Sequence, residues 1–292
     1  MTHVATLIGH NALHAARRVQ AMFPRAGSPV SLGPDAADVP FTAKESFDQR
    51  AIATALRAEI GEACDIVVQP LAHRRKKLFL ADMDSTMIGQ ECIDELADYV
   101  GLKDHIAAIT ERAMRGEIAF EPALRERVAL LKGLSSSVID NVLKTRVTVM
   151  PGARVLIATM RANGAYTAMV SGGFTLFTDH IARLIGFDES RANRLVIKNG
   201  RLAGTVAEPI FGRDAKRAAL IDLRTKLGLL KEDTLATGDG ANDMDMIAEA
   251  GLGIAYRAKP KVAAAAPACI EHADLTALLY VQGYRREEFV EA

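Results

Sequence analysis

Neither sign of charge is in excess in this chain: 36 lysines and arginines face 36 aspartates and glutamates. No global field therefore draws it to nucleic acid or to an anionic membrane. The basic run Arg74-Arg75-Lys76-Lys77 reads as a solvated linker entering a strand. Cysteine is scarce. Cys64, Cys92 and Cys269 lie far apart, cannot all pair within one chain and form no CxxC or Cys/His zinc spacing, so reduced thiols in the cytoplasm are expected. Long apolar runs are missing, and Met1-Thr2-His3-Val4 lacks a basic leader, so neither a membrane span nor a signal peptide is expected. Repeats and low-complexity tracts are missing too, apart from the cluster Ala263 to Ala266.

What is present suits a globular protein of two or three domains: 292 residues, 49% of them hydrophobic and 25% charged. Residues 1–72 alternate strand-like and helix-like patterns. Val4 to Ile8, Pro29 to Leu32, Val39 to Thr42 and Asp65 to Val68 read as strands, and Ala12 to Phe23 and Ser46 to Ile60 as helices. The order βαββαβ fits a small ferredoxin-like α+β domain. In pattern it resembles the ACT-type regulatory domains, which implies effector binding or dimer contacts; a plain packing role is the alternative. A chain beginning near Leu71 is then expected to fold and work without it.

From Lys77 to the C-terminus, residues 77–292, strands end in polar, small-residue loops. Lys77 to Ala81 runs into Asp82, Ala165 to Val170 into Ser171-Gly172-Gly173, and Thr234 to Thr237 into Gly238-Asp239-Gly240. Helices such as Ala153 to Asn163 and Ala215 to Leu227 intervene, each followed by glycine. This alternation predicts an α/β fold with a doubly wound, mostly parallel sheet and a site outside the carboxyl ends of its strands. Residues 90–147 are helical throughout, including Glu91 to Tyr99, Lys103 to Met114 and Glu121 to Leu131, and form an insertion placed to cap that site. Asn199-Gly200, between Leu195-Val196-Ile197 and Leu202 to Val206, marks a two-residue hairpin.

The chemistry concentrates at the strand ends. Leu78-Phe79-Leu80-Ala81-Asp82-Met83-Asp84-Ser85-Thr86 places two carboxylates two residues apart after a buried strand. A carboxylate attacks phosphorus only if repulsion between the anions is offset, which calls for Mg²⁺ on oxygen ligands. One aspartate can attack while the other protonates the leaving oxygen and later activates water. Ser171 with Gly172 and Gly173 can present a hydroxyl and amides to phosphate. Lys216, at the start of a helix, can neutralise phosphate and nucleophile together. In Gly238-Asp239-Gly240-Ala241-Asn242-Asp243, the two aspartates can serve a metal and Asn242 can tether Ser171, Lys216 or phosphate. Singly, each of these is also a turn, a helix cap or a surface lysine.

Together and in this order they resemble the haloacid dehalogenase superfamily, whose DxDxT signature Asp82 to Thr86 matches. The resemblance implies Asp82 as nucleophile, Asp84 as acid and base, Lys216 as the catalytic cation, and Ser171, Gly172, Lys216 and Asn242 on phosphate. It also implies Mg²⁺ on Asp82, Asp239, Asp243 and the backbone carbonyl of Asp84. Within the insertion, Gly89-Gln90-Glu91-Cys92, Ile109 to Phe120 and Arg125 to Val128 resemble the phosphoserine phosphatases. That family match implies O-phospho-L-serine as substrate, in serine biosynthesis, with Glu91 on its ammonium, Arg127 on its carboxylate, and Met114 and Phe120 as apolar walls. Guanidinium suits a carboxylate in geometry. Without the match, Glu91 reads as a helix N-terminal acid and Arg127 as one of an exposed i,i+4 pair. The rival readings are a phosphatase for another small phosphomonoester and an amino-acid sensor that has lost activity.

Overall fold

The computed structural model describes residues 1–23, 25–43, 48–61, 64–115 and 117–291, the side chain of Met114 apart. Strand β1 (His3–Ile8), helix α1 (Ala12–Met22), strands β2 (Val30–Gly33) and β3 (Ala36–Phe41), helix α2 (Gln49–Ile60) and strand β4 (Asp65–Pro70) follow in the expected order. The sheet runs β2-β3-β1-β4 with every neighbour antiparallel, the ferredoxin-like arrangement. Two-residue periodicity sends Ala5 and Leu7 to the face where Ala16 and Val19 of α1 and Leu56 of α2 pack. Helix α2 starts where Asp48 accepts the N–H groups of Arg50 and Ala51 (3.1 and 3.0 Å). The expected start at Ser46 lies outside the described residues.

Strand β5 (Leu78–Ala81) opens the second unit and is wholly buried. Helices α3 (Cys92–Asp98), α4 (Lys103–Met114), α5 (Phe120–Leu130) and α6 (Ser137–Thr145) form the insertion. Helix α7 (Ala153–Ala162), strand β6 (Tyr166–Phe174), helix α8 (Thr175–Ile185) and strand β7 (Glu189–Asn193) come next. Strands β8 (Leu195–Lys198) and β9 (Arg201–Val206) form the hairpin. Then come α9 (Arg213–Lys226), β10 (Thr234–Gly238), α10 (Met244–Glu249), β11 (Leu252–Tyr256), α11 (Pro260–Ala265), β12 (Ala268–Ile270) and α12 (Ala277–Val281). The sheet order is β12-β11-β10-β5-β6-β7, with each neighbouring pair parallel. The first strand of this unit thus lies inside the sheet between β10 and β6. Chain crossovers leave it in both directions, which opens a crevice at its carboxyl end.

Two local features depart from expectation, and a third, the hairpin, follows it. Strand β3 begins at Ala36 rather than Val39, because Ala36 already pairs with Ile8. Strand β6 does not stop at Val170: Phe174 pairs with Asn193 beyond an irregularity, so Ser171-Gly172-Gly173 lies inside a distorted strand end. The hairpin turns through Asn199 and Gly200, both at positive φ (52° and 71°) as a type I′ turn requires. It also binds the insertion: Gly133 donates to the Leu202 carbonyl and Leu202 to that of Leu134, both at 2.9 Å.

The two units are not joined by a free linker. Ile8, Leu32, Ala36 and Val67 of the first sheet share one hydrophobic cluster with Leu278, Leu279 and Tyr280 of the second unit. Arg74 donates to Asp38 through both terminal nitrogens (2.6 and 2.7 Å) and through Nε to the Val281 carbonyl (2.8 Å). Asp65 accepts the N–H groups of Glu271, His272 and Ala273. Arg74 is therefore a partly buried staple rather than a solvated linker residue. The expectation that the chain tolerates loss of everything before Leu71 is revised, since that loss uncovers α12.

Candidate active site

The N–H of Asp82 extends the ladder of β5 by donating to the Thr237 carbonyl at 3.0 Å, so its side chain emerges at the sheet's carboxyl edge. Its Oδ1 accepts the Met83 N–H at 2.8 Å and pairs with Lys216 Nζ at 2.8 Å, while Oδ2 has no hydrogen bond among the described residues. Lys216 is completely buried in the first turn of α9 and also reaches Asp243 Oδ1 at 2.7 Å. Carboxylate oxygens of Asp82, Asp239 and Asp243 lie within 4.8 Å of one another. Thr86 donates to Asp239 Oδ1 at 3.2 Å, and Gly240 donates its N–H to Asp243 Oδ2 at 3.0 Å.

Burial, followed by the charge of Asp243, pushes the Asp82 carboxyl up to about 7 against the opposing pull of Lys216. Burial drives Asp239 well above the carboxylate range, and the charges of Asp243 and Asp82 add to it. Burial alone would lower the Lys216 ammonium, but Asp243 and Asp82 outweigh it and hold the ammonium above its ordinary value. Three buried carboxylates thus share one cation. This all-oxygen, electron-rich set fits a hard divalent metal ion. The Asp84 side chain stands apart from it: its Oδ1 accepts the Cys92 N–H at 3.1 Å. Burial, then the charges of Glu91 and Asp82, raises the Asp84 carboxyl well above its usual value.

Asp82, Asp84, Glu91, Phe120, Arg127, Ser171, Gly172 and Asn242 all line one cavity of about 410 Å³. Ser171 is buried and its Oγ accepts the Gly173 N–H at 2.9 Å. A Cβ at Gly173 would meet Asp84 Oδ2 at 2.9 Å, and one at Gly172 would meet Phe120 Cζ at 2.9 Å, so glycine is required for this close approach. Lys216 is not on the cavity wall; its contacts are with the carboxylates behind Asp82. Asn242 lines the cavity without bonding Ser171 or Lys216 among the described residues. The Met114 side chain, expected as a wall, lies outside the described residues.

Glu91 precedes α3 but does not cap it; its Oε1 accepts from Ser85 Oγ at 2.7 Å. Burial raises its carboxyl. The exposed i,i+4 pair of α5 belongs to Arg125 and Glu121, not to Arg127. Arg127 is buried, 7% exposed, and donates to the Ala123 carbonyl (3.1 Å) and to Thr110 Oγ1 (2.8 Å). Among the described residues no carboxylate comes within ion-pairing distance of it. Two contributors carried no sequence signal. Asn193 donates to the carbonyls of Gly172 and Phe211 (2.8 and 2.9 Å) and accepts the Phe211 N–H, which fixes the Ser171-Gly172-Gly173 segment. Ser85, at φ 54°, orients Glu91.

Residues 79–248 match the family model of haloacid dehalogenase-like hydrolases. A phosphoserine phosphatase of Streptomyces coelicolor is 39% identical over 98% of this chain and 71% of its own. The crystal structure of a haloacid dehalogenase family hydrolase from Salmonella enterica serovar Typhi superposes with a TM-score of 0.84, at 27% identity, over 96% of this chain and 98% of its own. A phospho-aspartyl intermediate analogue of phosphoserine phosphatase covers 70% of this chain and 98% of its own, at 41% identity and a TM-score of 0.67. The chain belongs to the haloacid dehalogenase-like hydrolases and, within them, to the phosphoserine phosphatases. No helix among the described residues is long and apolar enough to cross a membrane.

Proposed function

We propose that the chain hydrolyses O-phospho-L-serine to L-serine and phosphate, with a phospho-aspartate at Asp82 between the two steps. One observation carries the substrate choice: a buried guanidinium, Arg127, has no carboxylate within ion-pairing distance among the described residues and shares a cavity with Glu91 and Asp82. A buried unpaired cation is unfavourable until an anion arrives, so the site is built for a carboxylate near a phosphate. Glu91, held by Ser85, supplies the opposite charge for the substrate ammonium.

In the first step Asp82 Oδ2, the oxygen left without a hydrogen bond, attacks phosphorus, and the bond from phosphorus to the seryl oxygen breaks. Asp84, whose burial favours the protonated form, gives a proton to the seryl oxygen. Asp84 then takes a proton from water as the water oxygen bonds phosphorus. The bond to Asp82 breaks, phosphate leaves and the carboxylate is restored. Ser171 and the amides that follow it bind the phosphate oxygens, and Lys216, paired with Asp82 Oδ1, favours the ionised form of Asp82 against the effect of burial. Asp82, Asp239, Asp243 and the Asp84 carbonyl would hold Mg²⁺, which when bound would offset repulsion between the phosphate and Asp82. The free, buried Cys64, Cys92 and Cys269 accord with a reducing, cytoplasmic setting.

The test is Arg127→Ala, assayed on phosphoserine and on O-phosphoethanolamine, which lacks only the carboxylate. The loss in kcat/KM on phosphoserine is expected to exceed that on phosphoethanolamine by about 2–4 kcal/mol. Equal losses would make Arg127 structural and end the assignment.

A further inference from the structure

Arg127 on α5 is steered by a residue of the neighbouring helix. We propose that the Thr110 hydroxyl, backed by Asp94, is the positioning group that turns Arg127 toward a substrate carboxylate and so sets selectivity for phosphorylated amino acids. The inference rests on the reading of the site given above.

Thr110 is 6% exposed. Guanidinium has only donors, so Thr110 Oγ1 must accept from Arg127 Nη1, at 2.8 Å. Its single proton then turns the other way, where the Ile106 carbonyl lies at 3.0 Å and Asp94 Oδ1 at 3.3 Å. Arg127 Nε is engaged with the Ala123 carbonyl. Two fixed N–H groups stop the planar head from rotating. One Nη1 hydrogen and both Nη2 hydrogens are left over, the edge that grips a carboxylate through two bonds.

The hydroxyl does a second thing. Asp94, on α3, stands on its far side, close enough for its charge to act on Arg127 but outside ion-pair distance. Direct pairing would occupy the donors that the substrate needs. With the hydroxyl between them, Asp94 contributes charge balance and leaves the fork open. Threonine within a helix often bonds the carbonyl four residues back for no reason beyond satisfying its hydroxyl. That merely structural role gives no reason for substrate dependence.

Thr110→Val keeps the branched shape and deletes the hydroxyl. It should lower kcat/KM on phosphoserine by about tenfold or more, mainly through KM, and change phosphoethanolamine by less than about twofold. Thr110→Ser should restore selectivity. In an Arg127→Ala background, Thr110→Val should add no further loss on phosphoserine. Thr110→Ala should give the same split if the valine variant does not fold. Equal losses on the two substrates, or an undiminished tenfold loss without Arg127, would overturn the inference. If Arg127→Ala discriminates between the substrates while Thr110→Val does not, the inference alone falls. If Arg127→Ala does not discriminate, the substrate reading fails and the inference with it.

Discussion

Arg74→Met cuts the staple between the first sheet and helix α12 without touching the active site. The Arg74 and Asp38 side chains are 12% and 8% exposed and joined by two short N–H to oxygen bonds (2.6 and 2.7 Å). Arg74 also serves Thr6 Oγ1 and the carbonyls of Tyr280 and Val281. Methionine fills much of the space but leaves the Asp38 carboxylate with the Thr6 hydroxyl, 2.8 Å away, as its remaining side-chain donor among the described residues. Removing one partner of a buried ion pair destabilises by about 3–5 kcal/mol, because the other charge stays out of water. In a chain of this size that lowers Tm by roughly 6–20 °C. Asp38→Leu added to Arg74→Met should recover most of the loss, since an apolar pair no longer buries a lone charge. Circular dichroism during thermal and urea unfolding measures the stability. Phosphate release at low temperature should show unchanged turnover per folded molecule. A loss below about 1 kcal/mol would mean that the pair behaves as a solvated surface bridge. The shared hydrophobic cluster, not the ion pair, would then carry the contact between the units.

Asp82→Asn should abolish phosphate release and leave the unfolding transition in place, because an amide has no anionic oxygen with which to attack phosphorus; retained turnover would refute the covalent route. The metal-free protein should lose stability as pH rises. Burial makes native Asp82 keep a proton up to about 7, whereas an unfolded aspartate releases it near pH 4, so the native state binds more protons across that window and stability falls through it. Asp84 and Asp239, also raised by burial, add to the decline. Adding Mg²⁺ at pH 8 should restore the lost stability, and a flat or rising profile in chelator would contradict the site's electrostatics.

The phosphatase motif was legible because its parts are short and local: a buried strand followed by Asp82 and Asp84, glycines beside Ser171, and two aspartates in one loop. The alternation of strands and helices likewise implied the parallel sheet and the place of its crevice. For Glu91 and Arg127 the residues alone favoured ordinary helix-surface roles, and only family resemblance pointed to the substrate. Tertiary structure decided that Arg127 is buried and without a carboxylate partner among the described residues, while its neighbour Arg125 bonds at the surface to Glu208. It also decided the placement of Asn193 and Thr110, whose partners lie 18 or 21 and 17 residues away. Arg74 was misjudged for a related reason: a run of basic residues looks solvated, and the carboxylate that buries this one is 36 residues earlier. Periodicity and motif spacing report what a segment does to itself. Burial of a charge depends on which distant segment covers it, and that is settled only when the elements pack.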